Sequence, residues 1–85
     1  MSATAIEMKS YAETGLVSVS TVNALLRFGE PMITETVSEP CNCSAPDRDY
    51  RAWIRLRSGG RTFGVWDMSP QLAAESLLEK LGGRR

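Results

Sequence analysis

Two tryptophans and several arginines lie close together in the segment 51–66, whose sequence is RAWIRLRSGGRTFGVW. Tryptophan and arginine are enriched in the hot spots of protein interfaces, and an aromatic ring beside an arginine also stacks on unpaired nucleic-acid bases. The chemistry that these side chains offer is therefore binding rather than bond making. The residues predicted to bind a partner are Trp53, Trp66, Arg51, Arg55 and Arg57.

Cys41 and Cys43 are the only cysteines, and a single residue separates them. A structural zinc site needs four ligands, and because the chain contains no histidine, a metal would have to be shared by two copies. A disulfide between these two cysteines would close a small, strained ring. We predict two reduced loop cysteines, with a redox-labile pair or a link between two molecules as the alternatives.

The sequence offers no set of residues for covalent or acid–base catalysis. Without histidine, the usual base that activates a serine or a cysteine is missing. The pair Gly59-Gly60 is assigned to a turn, so it does not form a phosphate-binding loop. We predict that the protein is not an enzyme and has no catalytic residues, no cofactor and no metal site.

The segment 51–66 is predicted to form a β-hairpin, which must position the tryptophans and arginines. Gly59 and Gly60 supply the positive φ angles that a tight two-residue turn requires. Such a turn places Ser58 opposite Arg61, and because side chains alternate along a strand, the composition of both faces follows. The predicted pairs are Leu56 with Phe63 and Ile54 with Val65 on the core face, and Trp53 with Trp66 on the other face. The alternative to a binding role is structural, with the tryptophan pair stabilising the sheet and the N-terminal residues 1–14 covering it.

The segment after the hairpin is predicted to be a helix. Ser69 suits the N-cap position and Pro70 the first helical position, while Gly82-Gly83 ends the helix. Apolar residues recur between these limits at helical spacing, so they form one stripe that can cover the core face of the hairpin. The stripe consists of Ala74, Leu77, Leu78 and Leu81.

Two more elements are predicted upstream of the hairpin. Residues 32–38 lie between two prolines and are rich in β-branched side chains, which indicates a strand. Residues 19–28 are predicted to be a helix, because serines precede them and a glycine and a proline follow. The alternative is a strand over 16–22 that pairs with residues 6–12.

These elements predict an α+β fold, a three-stranded antiparallel sheet with two helices on one face, in the order α-β-β-β-α. Residues 1–14 are then an N-terminal arm, residues 15–83 a single domain, and residues 84–85 a basic tail. The predicted core residues are Leu25, Leu26, Ile54, Leu56, Phe63, Val65, Leu77, Leu78 and Leu81.

The predicted order resembles that of the double-stranded-RNA-binding domain over about residues 18–82. The segment 22–29 (VNALLRFG) corresponds to the family's first helix, 52–66 to its central hairpin, and 73–81 (AAESLLEKL) to its last helix. The resemblance implies the fold and, as one function, nucleic-acid binding. The family's basic cluster at the start of the last helix corresponds here to SPQLAAE, which contains no cation.

Length and charge bound the function further. A chain of 85 residues makes one domain, and it has neither an apolar run long enough for a membrane span nor a visible secretory signal, so we expect a cytoplasmic protein without a membrane partner. Its net charge is zero, yet residues 1–49 carry −4 and residues 50–85 carry +4. The halves either neutralise each other by packing or leave the basic half facing an acidic partner.

The leading functional hypothesis is a small non-catalytic protein that occupies the surface of a partner protein. Regulators and phage or mobile-element inhibitors of host machinery act in this way, and a nucleic-acid-processing complex is one conceivable target. The alternative is a nucleic-acid-binding module that uses the arginine and tryptophan face of the sheet. The same face also suits a homodimer, because a two-fold contact would bury both tryptophan pairs at once.

Overall fold

The computed structural model describes residues 2–38 and 47–82. One antiparallel sheet has the strand order β1-β2-β3-β4, and three helices accompany it. Cys41, Cys43 and the basic tail lie outside the described residues. None of the described helices is long and apolar enough to cross a membrane. The elements are β1 (Ser2–Glu7), α1 (Met8–Glu13), α2 (Val19–Leu26), β2 (Gly29–Ser38), β3 (Asp47–Leu56), β4 (Arg61–Asp67) and α3 (Pro70–Lys80).

The predicted α+β class with an antiparallel sheet is confirmed, whereas the prediction of three strands and two helices is wrong. The segment predicted to be an N-terminal arm contains both missing elements, since residues 2–7 pair with β2 as a fourth strand and residues 8–13 form α1. Strand β1 carries one large apolar side chain, Ile6, so its sequence has no clear alternation. Strand β1 is extended because it pairs with the otherwise free edge of β2.

Helices α2 and α3 form where the sequence predicts them. Ser18 caps α2, because its hydroxyl accepts a hydrogen bond from the backbone N–H of Thr21 at 3.3 Å. Ser69 and Pro70 begin α3 as expected, although the Ser69 side chain makes no capping hydrogen bond. The helical conformation of Val19–Leu26 decides against the alternative strand over 16–22.

The hairpin of β3 and β4 forms, but its predicted register is wrong. Arg61 lies opposite Arg55 instead of Ser58, a shift of three residues. The turn is wider than predicted, since the N–H of Leu56 donates to the carbonyl of Gly60 at 3.1 Å. Because a shift by an odd number exchanges the two faces of a strand, Phe63 now lies opposite Trp53, on the face away from the helices.

The core lies between the sheet and the three helices. Of the predicted core residues, Leu25, Ile54 and Leu77 are fully buried, and Leu56, Leu78 and Leu81 are half-buried against the core. The prediction is wrong for Leu26, Phe63 and Val65, which are exposed. The register shift explains Phe63, and Val65 lies at an irregularity of the β3–β4 pairing. The other buried apolar residues are Met8, Tyr11, Val17, Val22, Ile33, Ala52, Ala73 and Ala74.

Tyr11 ties α1 to the sheet. Its hydroxyl donates a hydrogen bond to the Glu35 carboxylate on β2, and its ring meets the Tyr50 ring edge-on at 6.3 Å. Burial raises the pKa of the Tyr11 phenol above its ordinary value, and the hydrogen bond to Glu35 and the charge of that carboxylate raise the pKa further.

The raised pKa of Tyr11 predicts a loss of stability in alkali. The pKa of Tyr11 is higher in the folded than in the unfolded protein, so the protonated phenol contributes fully to the free energy of unfolding below about pH 10. This contribution is lost as the pH rises further, by at most about 1.4 kcal/mol for each pH unit. Urea unfolding of the wild type and of Tyr11→Phe from pH 8 upward measures this. We expect a shallower decline for Tyr11→Phe, and equal declines would contradict the prediction.

Candidate protein-binding surface

One face of the sheet has no helix over it in the part of the chain that the structure describes. The helices pack on the side that carries Ile33, Ala52 and Ile54, all fully buried. Because neighbouring residues of a strand point to opposite faces, Arg51, Trp53 and their cross-strand partners point the other way. We call this helix-free side the outer face.

The outer face carries a row of arginines and aromatic rings, which we call the Arg-aromatic surface. The rings of Trp53 and Phe63 stack with their centroids 5.7 Å apart and an interplanar angle of 23°. The guanidinium carbon of Arg61 lies over the Trp53 ring, 5.6 Å from its centroid. The surface consists of Arg51, Trp53, Arg61, Phe63 and Trp66.

Arg51 lies between two aromatic rings of this surface, those of Phe63 and Trp66. Its guanidinium carbon lies 5.1 Å from the centroid of the Phe63 ring and 5.8 Å from that of the Trp66 ring. Its Nε donates to the carbonyl oxygen of Gly64 at 2.7 Å. Two cation–π contacts and one hydrogen bond therefore hold the Arg51 side chain in place.

The pairing irregularity between β3 and β4 produces this arrangement. Trp53 lies opposite Phe63 and Arg51 opposite Trp66, so one residue of β3 faces two residues of β4, Gly64 and Val65. Such a bulge turns the following side chain. Without it, Trp66 would point to the helix side, and the bulge returns its ring to the outer face.

A hydrogen bond to the neighbouring strand also holds the Trp53 side chain in place. Its indole N–H donates to the hydroxyl of Thr34 on β2 at 2.9 Å. The Trp53 ring is half-buried between its neighbours, whereas 45% of Trp66 and 37% of Phe63 are exposed. The surface is thus ordered by contacts within the chain and still offers aromatic area to a partner.

The structure brings together three of the five residues predicted to bind a partner. Arg51, Trp53 and Trp66 belong to the Arg-aromatic surface, although the two tryptophans do not pair, because Arg51 and Phe63 separate them. Arg55 is exposed beside this surface, opposite Arg61.

Arg57 lies elsewhere, in the turn of the hairpin. Its guanidinium donates to the carbonyl of Leu26 at 2.9 Å, and its backbone N–H donates to the carbonyl of Phe28 at 3.2 Å. Arg57 thus satisfies carbonyl groups at the carboxyl end of α2, a structural role.

Sequence reasoning missed Phe63 and Arg61 as members of the surface. Phe63 is predicted in the core because the predicted turn contains two residues, whereas the observed loop between Arg55 and Arg61 contains five. No local signal distinguishes the two turns, since adjacent glycines, which here have φ of +101° at Gly59 and +79° at Gly60, fit both a tight turn and a wider hairpin loop.

The charge of the Arg-aromatic surface is not neutralised by carboxylates of the described residues. The one ion pair within residues 2–38 and 47–82 joins Lys9 to Glu7, with 3.7 Å between Nζ and Oε1. Arg51 and Arg61 contact rings instead, so their positive charge is available to an acidic group of a partner.

Exposed apolar side chains extend this surface along the β4 edge. Val65 is 60% exposed and Met68 is 78% exposed, and they flank Trp66. Single exposed apolar residues are common, but two that flank a member of an exposed aromatic cluster are typical of an interaction site.

Comparisons of this chain with protein families, with curated proteins and with solved structures returned no match.

Proposed function

We propose that this protein is a non-catalytic binding protein that occupies a partner protein's surface with its Arg-aromatic surface. The observation that supports this most is Arg51, a cation held between Phe63 and Trp66 with no carboxylate within salt-bridge distance among the described residues. Tryptophan and arginine that are already ordered before binding are the residues that contribute most to interface affinity.

Preorganisation gives the surface its energetic advantage. Ordering a flexible side chain on binding costs about 0.5 to 1.5 kcal/mol, and for Arg51 and Trp53 the fold has already met that cost. A partner that places a carboxylate against Arg51 and an apolar group against Trp66 gains both contacts. A small protein of this kind acts by covering what it binds, as regulators and phage or mobile-element inhibitors of host machinery do.

A second candidate function is binding of single-stranded nucleic acid. The stacked pair of Trp53 and Phe63 beside arginines favours it, because bases stack on such platforms and arginines neutralise phosphates. The order from α2 to α3 is also that of the double-stranded-RNA-binding domain, which the sequence resembles. The start of α3 carries no cation, however, so nucleic acid would bind at the Arg-aromatic surface instead.

The main test of the proposed function is a set of alanine variants assayed against the partner isolated with the wild-type protein. We expect Trp53→Ala and Arg51→Ala each to weaken binding by about 2 kcal/mol, about 30-fold in Kd, because each removes a central contact. Arg48→Ala is the matched control, since Arg48 is exposed on the same strand but on the helix side of the sheet. Calorimetry measures affinity, and thermal unfolding of the same proteins measures stability.

Two outcomes would contradict the proposal. The first is a large loss of stability in Trp53→Ala with unchanged affinity per folded molecule, which would make the rings purely structural. The second is an affinity that falls steeply with salt and is reproduced by an oligonucleotide, because phosphate contacts give this dependence and would favour the nucleic-acid function.

A further inference from the structure

The two edges of the sheet differ in how well they are protected against pairing with a further strand. At the β4 edge, Nζ of Lys80 donates to the carbonyl of Phe63 at 2.7 Å, and the bulge at Gly64 and Val65 interrupts the strand's regularity. Lysines and bulges on edge strands are features that prevent another strand from pairing there. The β4 edge is therefore protected.

The β1 edge has no such protection among the described residues. Strand β1 pairs regularly with β2, from Ser2 opposite Val37 to Glu7 opposite Met32, without a bulge. Within residues 2–38 and 47–82, no hydrogen bond reaches the backbone of residues 2–6 from any element other than β2. The strand contains neither proline nor lysine, and the residues at its centre, Ala3, Thr4 and Ala5, are exposed.

We infer that the β1 edge pairs in antiparallel fashion with β1 of a second copy, so that two chains form one continuous eight-stranded sheet. Residues 2–6 carry no charge, so the strand meets its own copy without repulsion. Each chain has one open edge and one protected edge, so the assembly closes at two copies and does not grow into a filament.

Alternation of side chains restricts the register of this dimer. Directly opposite residues of antiparallel strands share a face, so the two-fold axis passes through a residue pair, Thr4 with Thr4 or Ala5 with Ala5. Either register pairs five residues of each strand and keeps the Glu7 side chains of the two copies apart.

Contacts beyond the backbone are available on the helix side of this edge. An open groove of about 230 Å³ lies between β1 and the segment after α1, with the half-buried Ile6 and the exposed Leu16 in its lining. A second strand beside β1 narrows this groove and covers Ile6. The dimer thus buries apolar area in addition to forming hydrogen bonds.

The dimer has a defined consequence for the outer faces. The two-fold axis of an antiparallel strand pair is perpendicular to the sheet, so both Arg-aromatic surfaces lie on the same side. The two β4 strands are then about 34 Å apart, seven strand spacings of about 4.8 Å. This inference does not depend on the proposed function, but together they describe a bivalent binder whose avidity for a repetitive partner exceeds that of one chain.

The test is the oligomeric state of Ala5→Lys, measured by sedimentation equilibrium over a range of concentrations. We expect the wild type to pass from monomer to dimer as concentration rises and Ala5→Lys to stay monomeric. In either register the two exposed lysines lie on the same face beside the axis, directly opposite each other or on the diagonal, and repel each other. The matched control is Ser20→Lys, an exposed position on α2 away from both edges, which should dimerise like the wild type. Circular dichroism checks that each variant is folded.

A charge-exchange experiment makes the test specific to the edge. Ala5→Glu alone should also be monomeric, and a mixture of Ala5→Lys with Ala5→Glu should form a heterodimer, since opposite charges then meet across the axis. A wild type that stays monomeric at all concentrations would overturn the inference, as would a dimer that Ala5→Lys leaves intact. A wild type that is monomeric by itself, and whose Ala5→Lys variant loses binding to a different protein, would show that the edge takes a foreign strand, which also overturns the inference. None of these outcomes involves Trp53 or Arg51, so they are distinct from a failure of the proposed function.

Discussion

Replacing Leu77 by alanine should lower the free energy of unfolding by about 2 to 5 kcal/mol, the range for removing a fully buried leucine. Leu77 lies in the middle of α3 and is 0% exposed. A Cβ on Gly64 of β4 would lie only 3.4 Å from the Leu77 Cα. Since the helix backbone is already this close to the strand, α3 has little room to move inward, and the variant keeps a cavity.

The same helix offers a matched control for this substitution. Leu72 is 52% exposed, so Leu72→Ala removes the same atoms without forming a cavity and should change stability by less than about 1 kcal/mol. Urea unfolding and thermal unfolding of both variants make the comparison. For a domain of this size the Leu77→Ala midpoint should fall by more than about 8 °C. Equal effects of the two substitutions would show that α3 does not pack on the sheet as described.

Gly29→Ala should also destabilise the fold, by about 3 kcal/mol, for a steric reason. Gly29 begins β2 and lies opposite Leu56. A Cβ at this position would lie 2.1 Å from the carbonyl oxygen of Arg55 and 3.0 Å from the Cα of Leu56. Because both are backbone atoms of the neighbouring strand, no side-chain rotation relieves the overlap, and β2 must separate from β3 at this end.

The control for Gly29→Ala is Gly60→Ala in the hairpin turn. Gly60 has a φ of +79° and no atom within 4 Å of an added Cβ, so that variant measures only the backbone cost of alanine in the left-handed region, about 1 to 2 kcal/mol. Chemical denaturation gives both values, and amide exchange at Arg57 reports whether its hydrogen bond to Phe28 opens. A Gly29→Ala protein as stable as the wild type would be incompatible with the described pairing of β2 and β3.

The sequence alone determined the elements whose signals are local. Helix α3 follows from the proline at its start, the glycine at its end and the apolar spacing between them, and α2 follows from its serine cap. The part of strand β2 that follows Pro31 lies between prolines and is rich in β-branched residues, although β2 itself begins earlier, at Gly29. The same local reasoning placed Arg51, Trp53 and Trp66 on one hairpin, so the main candidate residues were found before their geometry was known.

Tertiary structure decided the features that depend on distant parts of the chain. Strand β1 has almost no sequence pattern and forms because β2 offers it an edge, and α1 is held by the burial of Met8 and Tyr11. Two glycines permit both a tight and a wide turn, and the choice between them exchanges the faces of β4. Packing of α3 against Gly64 accompanies the wide turn and the bulge, which place Phe63 and Arg51 on the outer face. The local sequence pattern does not determine the turn and the bulge, because both depend on how closely α3 packs against β4.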